Sequence, residues 1–372
     1  MASKTRPQVR SHRRSLRAAA FLTAAAAAVG TAATAVALPQ ALLTAAAAAV
    51  GTAATAVALP QAPSRAETGA VTTVAATGRL STTAGRAVPA PLRGVTIESV
   101  DRLEALVTAL AAHTKPATVR IVFQAGTSPA DYATAVRRLR PHAYLVGTVL
   151  DSTAVAEYSV AQVRDRTRQF VKAFGAQIDI WEVGNELNGE WLGEPADIRA
   201  KAQAAFDVVE REYAGLKLQS AVTLNYWPSS DCYAQPWEAT DSFAAALPQA
   251  IRLGADHAWL SFYETACDPV ARPSVTQFTG AFTRLAQTFP NARVGFGEVG
   301  VQGIDSGFAR EPSLAERKAV ANRYYGMHAA LLGAVGSRYE GGYFWWTYHQ
   351  DALRARTSRS MWPTLEALMA RM

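Results

Sequence analysis

Two glutamates stand where short runs of β-forming residues end. Glu186 lies in Trp181-Glu182-Val183-Gly184-Asn185-Glu186-Leu187-Asn188, and Glu298 in Gly295-Phe296-Gly297-Glu298-Val299-Gly300. One carboxylate in such a place means little. Two that meet over a common space can divide the work of breaking an acetal, one protonating the leaving oxygen while the other attacks or supports the anomeric carbon. When such a pair works with retention, its carboxyl groups stand about 5–5.5 Å apart. The chemistry this pair could carry is cleavage of a glycosidic bond, and it requires no cofactor. Rival chemistries find less support. None of the 6 histidines falls into an HxH or HExxH pattern, no Cys/His spacing suggests a metal, and no serine occupies a G-x-S-x-G elbow.

For the two glutamates to meet, the elements carrying them must converge. From about residue 92 the apolar pattern alternates eight times between short β-rich runs and amphipathic stretches. Strands are expected over 94–98, 118–123, 144–150, 178–183, 218–224, 258–263, 293–297 and 342–347. Helices are expected over 102–113, 129–139, 161–174, 196–213, 242–253, 275–289, 314–335 and 363–372. The fourth shows the pattern plainly, with Ile198, Ala202, Phe206, Val209 and Tyr213 on one stripe and Asp197, Arg199, Lys201 and Glu210 off it. Regular alternation implies parallel strands joined by right-handed crossovers. Eight units in this length suit a closed α/β barrel, the (β/α)8 or TIM barrel. A doubly wound open sheet is the competing architecture, but the Gly-rich phosphate turn after its first strand is missing. Closure would gather the carboxyl ends of all the strands on one face, and the glutamates of the fourth and seventh with them.

Composition and charge narrow the class. Of 372 residues 49% are apolar and 18% charged, as in a well-packed globular chain. The formal charge of +7 resembles that of a nucleic-acid binder until its distribution is read. Lys4, Arg6, Arg10, Arg13, Arg14 and Arg17 precede residue 63 with no acid among them, leaving 31 bases against 30 acids thereafter. The basicity therefore belongs to a leader, and no nucleic-acid partner is expected. Residues 1–62 read as an export segment with a basic start and a long apolar stretch, in which 22–41 recurs unchanged as 43–62. Left uncleaved, it would serve as a membrane anchor. Residues 63–91, rich in Ala, Thr, Gly, Ser and Pro, read as a flexible stem, with a single domain over 92–372. In an exported protein the two cysteines, Cys232 and Cys267, could form one disulfide between loops.

Asn185-Glu186 after the fourth strand, Glu298 ending the seventh, Arg120 on the second, Tyr263 closing the sixth and Trp346 on the eighth together resemble the clan A retaining (β/α)8 glycoside hydrolases. The resemblance runs from residue 92 to the C-terminus. It implies that Glu186 is the general acid/base, that Glu298 is the nucleophile, and that Asn185 binds the hydroxyl beside the anomeric carbon. It also implies that Arg120 and Tyr263 hold Glu298 ionised and that Trp346 floors the reacting subsite. Gly184 stands where many members have an aromatic residue, and Leu187 where proline is frequent, so no particular family is assigned.

Other residues keep alternatives open. Glu182 should face into the barrel as a structural carboxylate, and Arg120 could simply neutralise it. Glu190 and Glu194 read as solvated loop charges, and Glu264 is the substitute nucleophile if Glu298 is not one. Trp191, Tyr226, Trp227, Trp237 and Tyr348 offer flat faces suited to sugar rings, with ordinary loop packing as the alternative for each. Residues 225–241 could wall an open groove, which makes Asn225 and Tyr226 candidate substrate contacts and favours attack within a chain over attack at its end. His349 could contact substrate, but a loop histidine with no special role is the preferred reading. The expectation is a secreted, monomeric, cofactor-free enzyme acting on a β-linked oligo- or polysaccharide. A silent carbohydrate-binding barrel and an extracellular transglycosylase or lyase are the rival readings.

Overall fold

A computed structural model describes residues 79–353 and 359–372. The expected export segment, 1–62, and the first part of the stem, 63–78, lie outside the described residues. The strands are β1 (Leu92–Ile97), β2 (Ala117–Val122), β3 (Ala143–Thr148), β4 (Ile180–Gly184), β5 (Ser220–Asn225), β6 (His257–Phe262), β7 (Arg293–Val299) and β8 (Tyr339–Trp345). They pair in sequence order, all parallel, and close into a barrel as β8 returns to β1. This is the (β/α)8 architecture expected from the alternating pattern.

Local rules account for the helices. Val160–Phe174 starts at a reciprocal cap, with Gln162 N donating to Ser159 Oγ at 3.2 Å and Ser159 N to Gln162 Oε1 at 2.8 Å. Its Val163, Phe170, Val171 and Phe174 are buried. Two long helices expected from periodicity are broken. The fifth becomes Thr240–Ala246 and Gln249–Gly254 because Pro248, lacking an N–H, interrupts the run. The seventh becomes Leu314–Tyr325 and His328–Val335 around Gly326.

Strand alternation sorts side chains into two zones. Inside the barrel, Leu92, Val146, Ile180, Ala221, Trp259 and Phe344 form a compact apolar cluster. Nearer the carboxyl ends the inward positions turn polar. Arg120, Thr148 and Thr223 all donate to the buried carboxylate of Glu182. Outward residues such as Phe262, Phe296 and Tyr343 pack under the helices with Phe278, Phe282 and Tyr325.

The described end of the expected stem does not behave as a free linker. Leu80 N donates to Pro141 O at 2.9 Å, and Gly85 N to Ala176 O at 3.1 Å. Arg86 makes a two-pronged bond to Asp179, at 2.9 and 2.8 Å, just before β4. Its low-complexity composition hid one arginine with a buried partner. No helix among the described residues is long and apolar enough to cross a membrane.

Candidate active site

Glu186 lies two residues beyond β4, on a backbone forced into the left-handed region with φ 51°. A bulge in the β4–β5 pairing, where Glu182 meets Ala221 and Gly184 meets Val222, bends the chain there. Leu187 N is then held by Thr223 O at 3.0 Å, and Asn225 Nδ2 donates to Glu186 O at 3.3 Å. The Glu186 carboxyl receives Ser261 Oγ on Oε1 at 2.7 Å and Ser152 Oγ on Oε2 at 2.8 Å.

Glu298 reaches the same space by a different irregularity. Val294 and Phe296 of β7 face outward into the aromatic layer, so strict alternation would send Glu298 outward too. The β6–β7 register slips between them, with Leu260 opposite Phe296 but Ser261 opposite Glu298. The extra residue, Gly297, restores the inward direction. Glu298 Oε2 accepts from Arg120 Nη1 at 2.8 Å, and Oε1 accepts from the Tyr263 hydroxyl. The two carboxyl groups are thus gripped by residues two apart in the chain, Ser261 on β6 and Tyr263 just past its end.

Their charges are linked. Burial raises the Glu298 carboxyl well above its ordinary value and the Glu186 charge adds to this, while Arg120 and Tyr263 pull it back. Burial also raises Glu186, against the two serine hydroxyls and Arg120, with Asp151 pushing the same way as burial. Burial alone would lower the Arg120 guanidinium, but Glu182 and Glu298 outweigh it and keep it charged. Arg120 was expected to hold Glu298 low. Burial beside another carboxyl raises Glu298 while Arg120 and Tyr263 still favour its anion, so the two carboxyls are best treated as sharing one proton.

The remaining expectations divide. Asn185 is buried, its Oδ1 taken by Ser152 N at 3.0 Å while its Nδ2 makes no bond within the protein. Trp346 and Tyr263 both lie against Gly300, with the Arg120 guanidinium 5.9 Å from the Trp346 ring centre. Glu182 is the structural carboxylate foreseen, and Arg120 bridges it to Glu298 rather than serving either alone. Glu264 instead belongs to a separate cluster, its carboxylate bonded to Arg272, Arg323 and Tyr324.

Tyr226 is corrected: it follows inward Asn225, points outward, and packs on Phe262 and Phe278 in the core. Tyr348 is likewise buried, bonded to His113 at 2.8 Å. Asn225 is spent on scaffolding, its backbone and side chain tied to Asn188, Thr240 and Glu186. Trp191 and Trp237 are half-buried against the core, and Trp191 folds back over Gly189. Trp227 is partly exposed, with its indole N–H unbonded. His349 Nδ1 accepts from Glu98 N at 3.4 Å. Cys232 and Cys267 form the disulfide, linking the loops after β5 and β6.

Sequence reasoning missed Asp151, Ser152 and Ser261. All three sit at or just past a strand's carboxyl end, the zone where a barrel places its chemistry, and a search of every such end would have found them.

No family model matches this chain, and no curated protein sequence matches it. Similar solved structures include a β-glucosidase from Exiguobacterium marinum, at 16% identity over 65% of this chain and 77% of that one, with a TM-score of 0.46. A GH128 (subgroup I) endo-β-1,3-glucanase from Amycolatopsis mediterranei, in complex with laminaripentaose, is 13% identical over 75% and 99%, with a TM-score of 0.41. A GH5-4 broad specificity endoglucanase from an uncultured bacterium is 13% identical over 73% and 84%, with a TM-score of 0.47. Likeness this distant is one of barrel shape, and what the cleft does has to be argued from its own residues.

Proposed function

We propose that this protein is an exported glycoside hydrolase that cleaves β-linked glycans with retention of configuration. The observation that carries the reading is the pair itself: Glu186 and Glu298 at the carboxyl ends of β4 and β7, each fixed by two side-chain donors, with Ser261 and Tyr263 of one segment holding one carboxyl each. Of the two, only Glu298 is bonded to a guanidinium, so the shared proton belongs on Glu186. Protonated Glu186 gives its proton to the glycosidic oxygen as Glu298 attacks the anomeric carbon and the C–O bond to the leaving sugar breaks. The product is a covalent glycosyl-enzyme and a free alcohol. Glu186, now a carboxylate, takes a proton from water, whose oxygen displaces Glu298 from the same face that the leaving group vacated. Asn185 Nδ2 supplies a donor for a sugar oxygen, and Trp346 supplies an apolar surface.

Export is supported by the disulfide, which suits an oxidising compartment, and by the basic, apolar N-terminal sequence. The bridged loops after β5 and β6 stand beside the cleft as a fixed wall and favour an open groove with endo action.

The test is a panel of β-glucan, mannan, xylan and galactan assayed for new reducing ends, with the anomer released followed by NMR. Glu298→Ala should lose at least about a thousandfold in turnover while remaining folded, since Arg120 keeps Glu182 as a partner. Near-normal hydrolysis by that variant would refute the reading, and an inverted first product would remove its retaining step.

A further inference from the structure

We infer that Ser152 and Ser261 are positioning residues that clasp Glu186, fixing the direction of its carboxyl group and stabilising the anion it becomes on giving up its proton. This deepens the proposed reaction and rests on Glu186 being its acid/base.

The two serines come from different walls of the barrel. Ser261 faces inward on β6, and Ser152 opens the turn Ser152–Glu157 after β3. Each supplies one hydroxyl donor to one carboxyl oxygen, at 2.7 Å to Oε1 and 2.8 Å to Oε2. Bonds to both oxygens block rotation about the last side-chain torsion, which a single bond would leave free. Both donors are themselves rigid, Ser152 being 3% and Ser261 1% exposed. Asp151 pins Ser152 by capping the turn, its Oδ1 accepting from Thr153 N at 2.9 Å.

Ser152 has a second task. Its N–H donates to Asn185 Oδ1 at 3.0 Å, which fixes which end of that amide is the acceptor. Asn185 Nδ2, buried and unbonded within the protein, is left as a donor aimed elsewhere. One residue therefore fixes two adjacent side chains.

The charged and titratable groups around Glu186 are Arg120 on β2, Asp151 after β3, Tyr263 after β6 and Glu298 on β7, with Glu182 of β4 bound to Arg120. Asp151 and Glu298 both resist a negative charge on Glu186, and Arg120 is divided between Glu182 and Glu298. The serine hydroxyls are thus the donors directly bonded to that carboxylate when the proton leaves. Donors preset toward a developing anion stabilise the transition state that forms it.

The experiment titrates carboxyl carbons by NMR in full-length protein carrying 13C-labelled glutamate, with the Glu186 signal assigned by its loss in Glu186→Gln. In Ser152→Ala and in Ser261→Ala the Glu186 midpoint should move to higher pH, because a donor to the anion is gone. The alkaline limb of kcat/KM should move up with it, and kcat should fall on the order of tenfold or more. Each variant removes one oxygen, and either alone, if folded, gives the result. An unchanged Glu186 midpoint overturns the inference whatever the activity. A shifted midpoint in a protein that hydrolyses no glycan sustains the clasp and removes the reaction instead.

Discussion

Glu186 sits under three burdens at once: a left-handed backbone, protein on every side but the cleft, and the nearby charges of Asp151 and Glu298. For a residue with a Cβ, the backbone alone costs about 1–2 kcal/mol. Such strain at a site is held in place by its surroundings, here the Leu187 and Asn225 bonds to either side of it. The electrostatic burden has a testable sign. Burial raises the folded-state value of Glu186 above its ordinary 4.5. Folding therefore favours the protonated form, and the penalty is absent below about pH 4.5 and grows as pH rises through the raised value. Glu186→Gln keeps both serine partners and carries no charge. It should be more stable than the parent by about 1 kcal/mol at neutral pH, the gain vanishing below pH 4.5, as read by denaturant titration across pH. Equal stability of the two proteins at all pH values would show that Glu186 is not held in an environment hostile to its anion.

At the scale of elements, what decided the site was where strands depart from regularity. Parallel strands buried on both faces read as short apolar runs, so all eight were legible in sequence, in order and nearly in extent. Strand parity was not, because a bulge leaves no strong signature beyond a glycine. In β7 that glycine is Gly297, where an added Cβ would stand 2.7 Å from Thr223 Cγ2 and 2.8 Å from Trp259 Cβ. Gly297→Ala should therefore cost about 1–3 kcal/mol through overpacking and lower kcat as well, since it pushes on the residue beside Glu298. Loss of stability with kcat intact would mean that the bulge serves packing alone. The same blindness to parity explains Tyr226, whose aromatic type suggested sugar stacking while its position after inward Asn225 sends it into the core. Ser152 and Ser261 were illegible for another reason: a serine at a strand end looks like any turn residue until its partner is known.

Across the whole molecule, chemistry and anchorage lie at opposite ends of the barrel. The cleft gathers at the carboxyl ends of the strands, whereas residues 79–91 bond to the chain just before β3 and β4 begin. The main tie is Arg86 on Asp179, whose carboxylate is fully buried and also accepts from Leu145 N at 2.7 Å. Removing Arg86 takes both short bonds from that buried carboxylate and leaves Arg140, 3.8 Å away, as its remaining cationic neighbour, a loss that exceeds the worth of the intact pair. Arg86→Ala should destabilise the protein by about 3–5 kcal/mol. Because the tie lies at the far end of β3 and β4 from Ser152 and Glu186, kcat per folded molecule should stay at the parent value. Denaturant titration combined with active-site counting separates the two quantities. A fall in kcat among correctly folded molecules would show that the two ends of the barrel are mechanically coupled, with the segment before β1 acting on the cleft.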